Sequence, residues 1–427
     1  MSRLILVLAL WTLGSTPALA ESRTERVDAM RARLGTLNAE ERALLAPYLR
    51  NGPVVLTEFS NRQTELPAVI YAARINAPAE VVGSVIGNPR EYPKFMQALE
   101  SVKIKAEHDT MTAFDWTWGV ALFSMTGNNV ITEFPGNEER GYRYEIRTTG
   151  GDLGIGRVSW RIYPDGPTRS VAVFSSRLDM RDANYLTRQL ASEGNAVNRT
   201  INVAVATVTL LDVKNEAERR SGATIVEVQK AKPLTRPSVN MEALGPLLRR
   251  GDLVMLDFRG HTLDRVTVVG RAGSSVGRVR RVLVDPELFG QSMLHGSCAE
   301  IVERTRDRVR FSWEIPIPLL HVGGEMVLRP SLGVVAVDGI SGTLSQGQWR
   351  FDTHRFPNGE AGVIGWAAFD PMDSPKLIRK LISGNDQFSH GFVAATQLAI
   401  MRSLRGRARR LPRVGAARAS SRAPTAR

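Results

Sequence analysis

Few residues in this 427-residue chain could carry chemistry, and their spacing excludes most reactions. Gly273-Ser274-Ser275-Val276-Gly277 matches the G-x-S-x-G pattern of a hydrolase nucleophile, which needs a strand before the serine, a helix after it and a base elsewhere. An internal repeat maps this segment roughly onto Ile75 to Ala79, a loop ahead of a short helix, so no nucleophile is expected there. Gly151, Gly154 and Gly156 lie between strand patterns with no helix following, which argues against a phosphate cradle. His108, His261, His295, His321, His354 and His390 never fall at metal-ligand spacing, so neither a metal nor another cofactor is expected. His354, near Trp349 and Phe351, faces either a cavity or solvent. Asp115 and Glu314 sit on the polar parity of their strands, and no carboxylates pair at a spacing suited to acid/base work. No catalytic residue is assigned. Cys298 is the only cysteine, so no intramolecular disulfide can form, and its place at the start of a strand pattern predicts a small buried residue.

Stepping from these residues to the elements that carry them, the chain repeats itself. "LAPYLRNGPVVLTEF" from Leu45 aligns with "LGPLLRRGDLVMLDF" from Leu244 at an offset of 199. After a two-residue gap, "VIGNPREYPKFM" matches "VLVDPELFGQSM" and "FDWTW" (Phe114 to Trp118) matches "FSWEI" (Phe311 to Ile315), both at 197. A spacing held over this length predicts two copies of one domain. In each copy two short amphipathic helices flank an Asn88-Pro89 or Asp285-Pro286 turn. Strands of period two follow: Phe114, Trp116 and Trp118 alternate with polar neighbours, as do Tyr142, Tyr144 and Ile146, Val158, Trp160 and Ile162, and Val309, Phe311, Trp313 and Ile315. A long helix closes each copy, with apolar stripes through Leu186, Leu190, Val197, Ile201, Val205 and Val208, and through Leu377, Leu381, Phe388, Phe392 and Ile400. Expected boundaries are a helical lead-in at 21–49 with a capping box at Asn38 and Glu41, copies at 50–215 and 244–406, and a linker at 216–243.

Ala77-Pro78, Asn88-Pro89, Tyr92-Pro93 and Phe95, followed by a strand of Val-x-Ile type, make the first copy resemble the START-like superfamily of polyketide cyclases, coenzyme Q-binding and lipid-transfer domains. The second copy keeps Asp285-Pro286 and Phe289 but has Gly290 and Ser292 in place of Pro93 and Phe95. The resemblance implies an α+β fold of two tandem helix-grip domains, each a curved antiparallel sheet around its long C-terminal helix, with the short helices as a lid on a cavity. Inward candidates for that cavity are Tyr92, Phe95, Trp116, Trp118, Tyr144 and Trp160 in the first copy, and Phe289, Met293, Trp313, Trp349, Trp366 and Phe392 in the second. Each fits an ordinary core position; as a set they suggest a pocket wall.

Export and surface contacts are set by the termini. Met1–Arg3, the apolar run Leu4–Leu13 and Ala18-Leu19-Ala20 read as a signal peptide cleaved after Ala20, with an uncleaved anchor the rival, and imply a periplasmic protein. The net charge is +13, and nine arginines from Arg402 onward leave only +4 elsewhere. That segment has no aromatic residue for base stacking, so no nucleic acid is expected. Its end, 407–427, is expected to be disordered, either solvating the chain or touching anionic lipid. Charge-free residues 118–125 and 315–322 are either hairpin arms or apolar loops at a pocket mouth that meet a membrane surface, the latter copy interrupted by Pro316 and Pro318. Three functions stay open: an exported binding or transfer protein for a lipid, isoprenoid or similar hydrophobic small molecule; a didomain aromatase/cyclase-like enzyme; and an interaction module with collapsed cavities.

Overall fold

Phe114, Trp116 and Trp118 lie on one strand as their alternation predicts, and among the described residues sixteen strands join edge to edge in a single antiparallel sheet. The computed structural model describes residues 22–59, 66–120, 123–137, 140–184, 201–223, 234–290, 298–317, 320–331, 333–376, 379 and 386–412. The expected signal peptide, Leu186, Leu190, Val197, Met293, His295, Leu377, Leu381 and the chain beyond Pro412 lie outside these residues.

The first copy runs α1 (Arg23–Arg31), α2 (Ala39–Leu45), β1 (Val54–Glu58), β2 (Val69–Ile75), α3 (Ala79–Gly87), α4 (Tyr92–Phe95), β3 (Leu99–His108), β4 (Met111–Val120), β5 (Phe123–Asn137), β6 (Gly141–Gly151), β7 (Ile155–Pro164), β8 (Ser170–Asp179) and α5 (Ile201–Arg220). The second runs α6 (Gly245–Arg250), β9 (Gly251–Arg259), β10 (Thr262–Ser275), α7 (Val276–Leu283), α8 (Pro286–Gly290), β11 (Cys298–Arg304), β12 (Val309–Ile317), β13 (Leu320–Arg329), β14 (Val335–Gly342), β15 (Gln348–Arg355), β16 (Glu360–Ala368) and α9 (Asp386–Arg410). The strand order is β3-β4-β5-β6-β7-β8-β2-β1 in one half and its mirror, β9-β10-β16-β15-β14-β13-β12-β11, in the other. Each half is therefore the same α+β unit, an antiparallel sheet gripping one long C-terminal helix, present twice in tandem.

The halves meet at β1 and β9, where Val55 pairs with Val254, its own counterpart at the offset of 199. Val54 pairs with Met255 and Leu56 with Leu253, so the ladder has local twofold symmetry. Two edges that would each expose unpaired backbone groups satisfy one another. The long helices α5 and α9 also pack together. These central strands are buried on both faces, which is why "VVL" and "LVML" are continuous apolar runs rather than alternations. Val55, Tyr71 and Ala73 belong to the core on the helix side, while Val54, Leu56 and Ile70 pack on the other face against Leu37, Leu45, Leu247 and Leu248 of the lead-in segments. The lead-in is capped as its spacing predicts: Asn38 Oδ1 accepts from Glu41 N at 2.8 Å and Glu41 Oε2 accepts from Asn38 N at 3.0 Å. A second capping box, at Ser22 and Glu25, starts α1, which seats Val27 and Met30 on Ile155 of β7.

Several expectations change. The stripe of α9 that faces the core is Val393, Ala394, Gln397, Leu398, Met401, Leu404 and Ala408. Phe388 and Phe392 are only half-buried, about one residue, or 100°, around the helix. Of the expected stripe, Ile400 lies in that core and Phe388 packs against it, while Phe392 is not among the core residues. The same helix continues past 406: Ala408 is fully buried, and Arg405 and Arg402 reach Asp252, a fully buried carboxylate on β9. Helix α5 likewise extends to Arg220 with Ala217 buried. Cys298 is exposed, because on edge strand β11 it is the neighbouring Ala299 that faces the core. Pro316 does lie within a strand, β12, where it pairs with His321 of β13; among the described residues the β11 ladder on its other side ends at the pair Cys298–Glu314. Among the described residues no helix is long and apolar enough to cross a membrane.

Candidate functional site

Between the first-copy sheet and α5 lies a cavity of about 180 Å³. The sheet contributes Phe114, Trp116 and Trp118 from β4, Asn129 from β5, Ile146 and Thr148 from β6, Val158 and Trp160 from β7, and Phe174, Ser176 and Leu178 from β8. Residues two apart on one strand share a face, which is how the sequence parity assembles this wall. Helix α5 closes it with Asn202, Val205, Ala206, Val208, Thr209, Asp212 and Val213, spaced by threes and fours. One end is shut by Ile86, Tyr92, Met96, Ala98 and Leu99, the lid segment of α3 and α4. Tyr92 fixes that lid: its hydroxyl donates to Ile86 O at 2.5 Å, satisfying a carbonyl at the end of α3, and its ring meets Phe114 edge-on at 6.1 Å. Burial pushes the Tyr92 phenol above its ordinary range, so it remains protonated. The Trp160 ring packs against Phe174 at a tilt of 55°, with ring centroids 4.5 Å apart. Trp116 lies over Gly127, its partner across the β4–β5 ladder; a Cβ on Gly127 would come within 2.2 Å of the indole.

Of the six first-copy candidates, Tyr92, Trp116, Trp118 and Trp160 line the cavity. Phe95 packs behind Tyr92, ring centroids 5.9 Å apart. Tyr144 lies under α3 instead, where Gly83 and Gly87 make room for its ring and its hydroxyl donates to Glu133 at 3.2 Å. The second-copy candidates do not come together in this way. Trp349 stacks on Phe369 at 5.4 Å, Phe289 and Trp313 are half-buried against the core, and Phe392 is half-buried on α9. Trp366 is a correction: it belongs to the core on the opposite face of the sheet, with Leu247 and Phe356, because β16 turns Val363 and Ala367 toward the helix and Ile364 and Trp366 away.

Asp212 was absent from the sequence-based candidates. It is 6 % exposed, lines the cavity, and has no hydrogen-bond or ion-pair partner among the described residues. Burial alone pushes its carboxyl up to about 7. Its signal in the sequence is an acid three residues after Thr209 and one before Val213, on the inward stripe of α5 once the helix is extended to Arg220. The other acids of this helix are neutralised: Glu218 pairs with Lys214 at 2.5 Å, and Glu216 with Arg219 and Arg220 at 2.7 and 2.8 Å. Of the other polar groups in the wall, Thr148 donates to Asn129 Oδ1 at 2.9 Å and Thr209 to Val205 O at 3.1 Å, whereas Trp116 Nε1 and Asn202 Oδ1 are buried without a partner among the described residues.

Strand β10 leads into α7 at Ser275 without the expected loop, yet Ser275 has an ordinary extended backbone (φ −77°, ψ 155°) rather than a strained elbow. Glu360, opposite it in the sheet, is held by Arg271 and the Gly273 amide. His354 bonds Glu242 at 2.9 Å, at the protein surface. Asp115 meets Lys105 at 2.7 Å, which with Asn128 lowers its pKa. No cluster able to hold a metal ion occurs among the described residues.

Residues 68–205 match the family described as polyketide cyclase / dehydrase and lipid transport. The first copy is a START-like domain. The second copy repeats its strand order, its two short helices and its long C-terminal helix. Similar solved structures include the Zhui aromatase/cyclase from Streptomyces sp. R1128, at 21% identity over 36% of this chain and 94% of that one (TM-score 0.31). The di-domain ARO/CYC StfQ of the steffimycin biosynthetic pathway is 10% identical over 77% and 96% (TM-score 0.27), and human STARD10 is 10% identical over 46% and 80% (TM-score 0.32). At these identities and scores the neighbours add nothing to what the family match shows. No curated protein matches the chain.

Proposed function

We propose that the chain binds a small hydrophobic molecule in the cavity of its first START-like domain and carries or presents it outside the cytoplasm. The observation that carries this reading is the cavity itself, walled by Tyr92, Trp116, Trp118 and Trp160. An engineered apolar cavity of about 150 Å³ takes a benzene molecule. A void of about 180 Å³ therefore suits one or two rings or a short acyl segment, not a whole two-chain lipid. Removing about 200 Å² of such a guest from water is worth about 5 kcal/mol before the costs of association, so micromolar to millimolar binding is expected. The apolar leader Leu4–Leu13 supports export, and the arginines beyond Pro412 support transient contact with an anionic membrane surface. Native mass spectrometry of the purified full chain, with extraction of bound compounds, tests the reading. A co-purifying or titratable apolar guest that is lost in Trp160→Arg supports it; a cavity that takes no apolar probe overturns it.

A second reading, an aromatase/cyclase-like enzyme, gains one specific observation: Asp212 is a lone carboxyl in an apolar cavity, held near neutrality, where a group can both give and take a proton. Turnover of a poly-ketone that disappears in Asp212→Asn would favour it over carriage.

A further inference from the structure

The cavity wall is chemically lopsided. Among the described residues its one charged side chain is Asp212; from β4 through β8 and from the α3–α4 lid, no lysine, arginine or histidine lines it. An anionic guest, such as a fatty acid or a phosphorylated headgroup, would meet a carboxyl and find no counter-charge. Next to Asp212 on the same helix face, Thr209 gives its hydroxyl proton to Val205 O and so offers only lone pairs to the cavity. Trp116, Trp118 and Trp160 line the same cavity from the sheet, with Phe114 and Phe174. Aromatic faces attract cations and repel anions, and most strongly when water is excluded. A buried carboxyl without a partner is costly, and a guest that supplies the partner recovers that cost on binding.

We propose that the guest of this cavity is a compact apolar amine, of one or two rings or equivalent bulk, whose ammonium pairs with the Asp212 carboxylate beside the Thr209 hydroxyl while its body fills the tryptophan-walled space. The inference rests on the binding reading above and names the chemical class that reading leaves open. The other titratable group in the wall, Tyr92, is bonded to Ile86 O and stays neutral. Glu216 and Glu218, on the same helix, are already paired with Arg219, Arg220 and Lys214. Ionisation of Asp212 is thus the one event in the cavity that the amine must await.

The test is isothermal titration of the full chain with three probes of one shape: 1-naphthylmethylamine, 1-naphthylmethanol and 1-naphthoic acid. At about pH 8.5 the amine should bind at least about 10-fold more tightly than the alcohol, and the acid most weakly. Between about pH 8.5 and about pH 5.5 the amine's affinity should fall about 30-fold as Asp212 takes up its proton, with the alcohol nearly unchanged. In Asp212→Asn, whose folding is checked by its thermal transition, the amine should lose both its preference and its pH dependence. Alcohol and amine binding equally, or an amine preference that survives in Asp212→Asn, overturns the inference while leaving the apolar binding site standing. Tightest binding of the acid also overturns it. If none of the three binds, the binding reading itself fails and the inference with it.

Discussion

Replacing Asp212 by Asn should make the protein more stable, by an amount that depends on pH. The carboxyl is held at about 7 in the folded chain, against about 3.9 in an unfolded one. The sign follows from linkage: a folded pKa raised above the unfolded value means the native state prefers the protonated acid, so its stability is intact below about pH 4 and is lost as the pH rises toward 7. A separation of about 3 pH units at about 1.4 kcal/mol each gives about 4 kcal/mol, reached by about pH 8. Asn has nearly the same shape and no charge to bury. Its amide adds a pH-independent offset, so the slope, not the absolute difference, isolates the carboxyl. Urea unfolding followed by tryptophan fluorescence at about pH 4.5, 6 and 8 measures it, because Trp116, Trp118 and Trp160 surround the site. The stability gain of Asp212→Asn should grow from under about 1.5 kcal/mol at the lowest pH toward about 4 kcal/mol at the highest. A gain that stays constant across this range would falsify the burial argument and, with it, the picture of a dry cavity around Asp212.

Three further outcomes follow from packing. Gly127→Val places a side chain where the Trp116 indole lies and should cost about 1–3 kcal/mol by urea unfolding while weakening binding of an apolar probe; unchanged binding would show that Trp116 is not a wall. Trp160→Ala removes a side chain 2 % exposed and packed against Phe174, and should cost about 3–5 kcal/mol in the same assay. Asp252→Ala strands Arg405 in a buried site and should cost about 3–5 kcal/mol, read as a lowered unfolding midpoint, with Asp252→Asn intermediate.

Strand parity was legible because it is a local property. Trp116 and Trp118 share a face whatever lies opposite, and the turn at Asn88-Pro89 forces the chain to break and restart before Tyr92. Parity alone, however, does not say which face of a doubly covered strand is the cavity side. Trp366 illustrates this: β16 is buried on both faces, 2 % exposed at Trp366 and fully buried at Ala367, so hydrophobicity carries no choice between them. Helix faces were harder still. Phe388 and Phe392 form a plausible stripe, yet Ala394, Leu398 and Met401 are the ones that fit against the sheet, and the bulky Phe388 turns toward Trp118 of the other half, 6.4 Å between ring centroids.

The sequence by itself determined that one unit occurs twice, that each unit alternates strands before a long helix, and that its strands carry aromatic side chains on one face. These follow from spacing along the chain, where the periods of 2 and 3.6 and the turn residues act locally. Only the tertiary structure decided that Val55 meets its own counterpart Val254 to weld two sheets into one, and that Asp212 lines a cavity with no partner among the described residues. Both depend on what lies opposite a residue in space, and solvation and charge are properties of that surrounding, not of the residue's place in the chain.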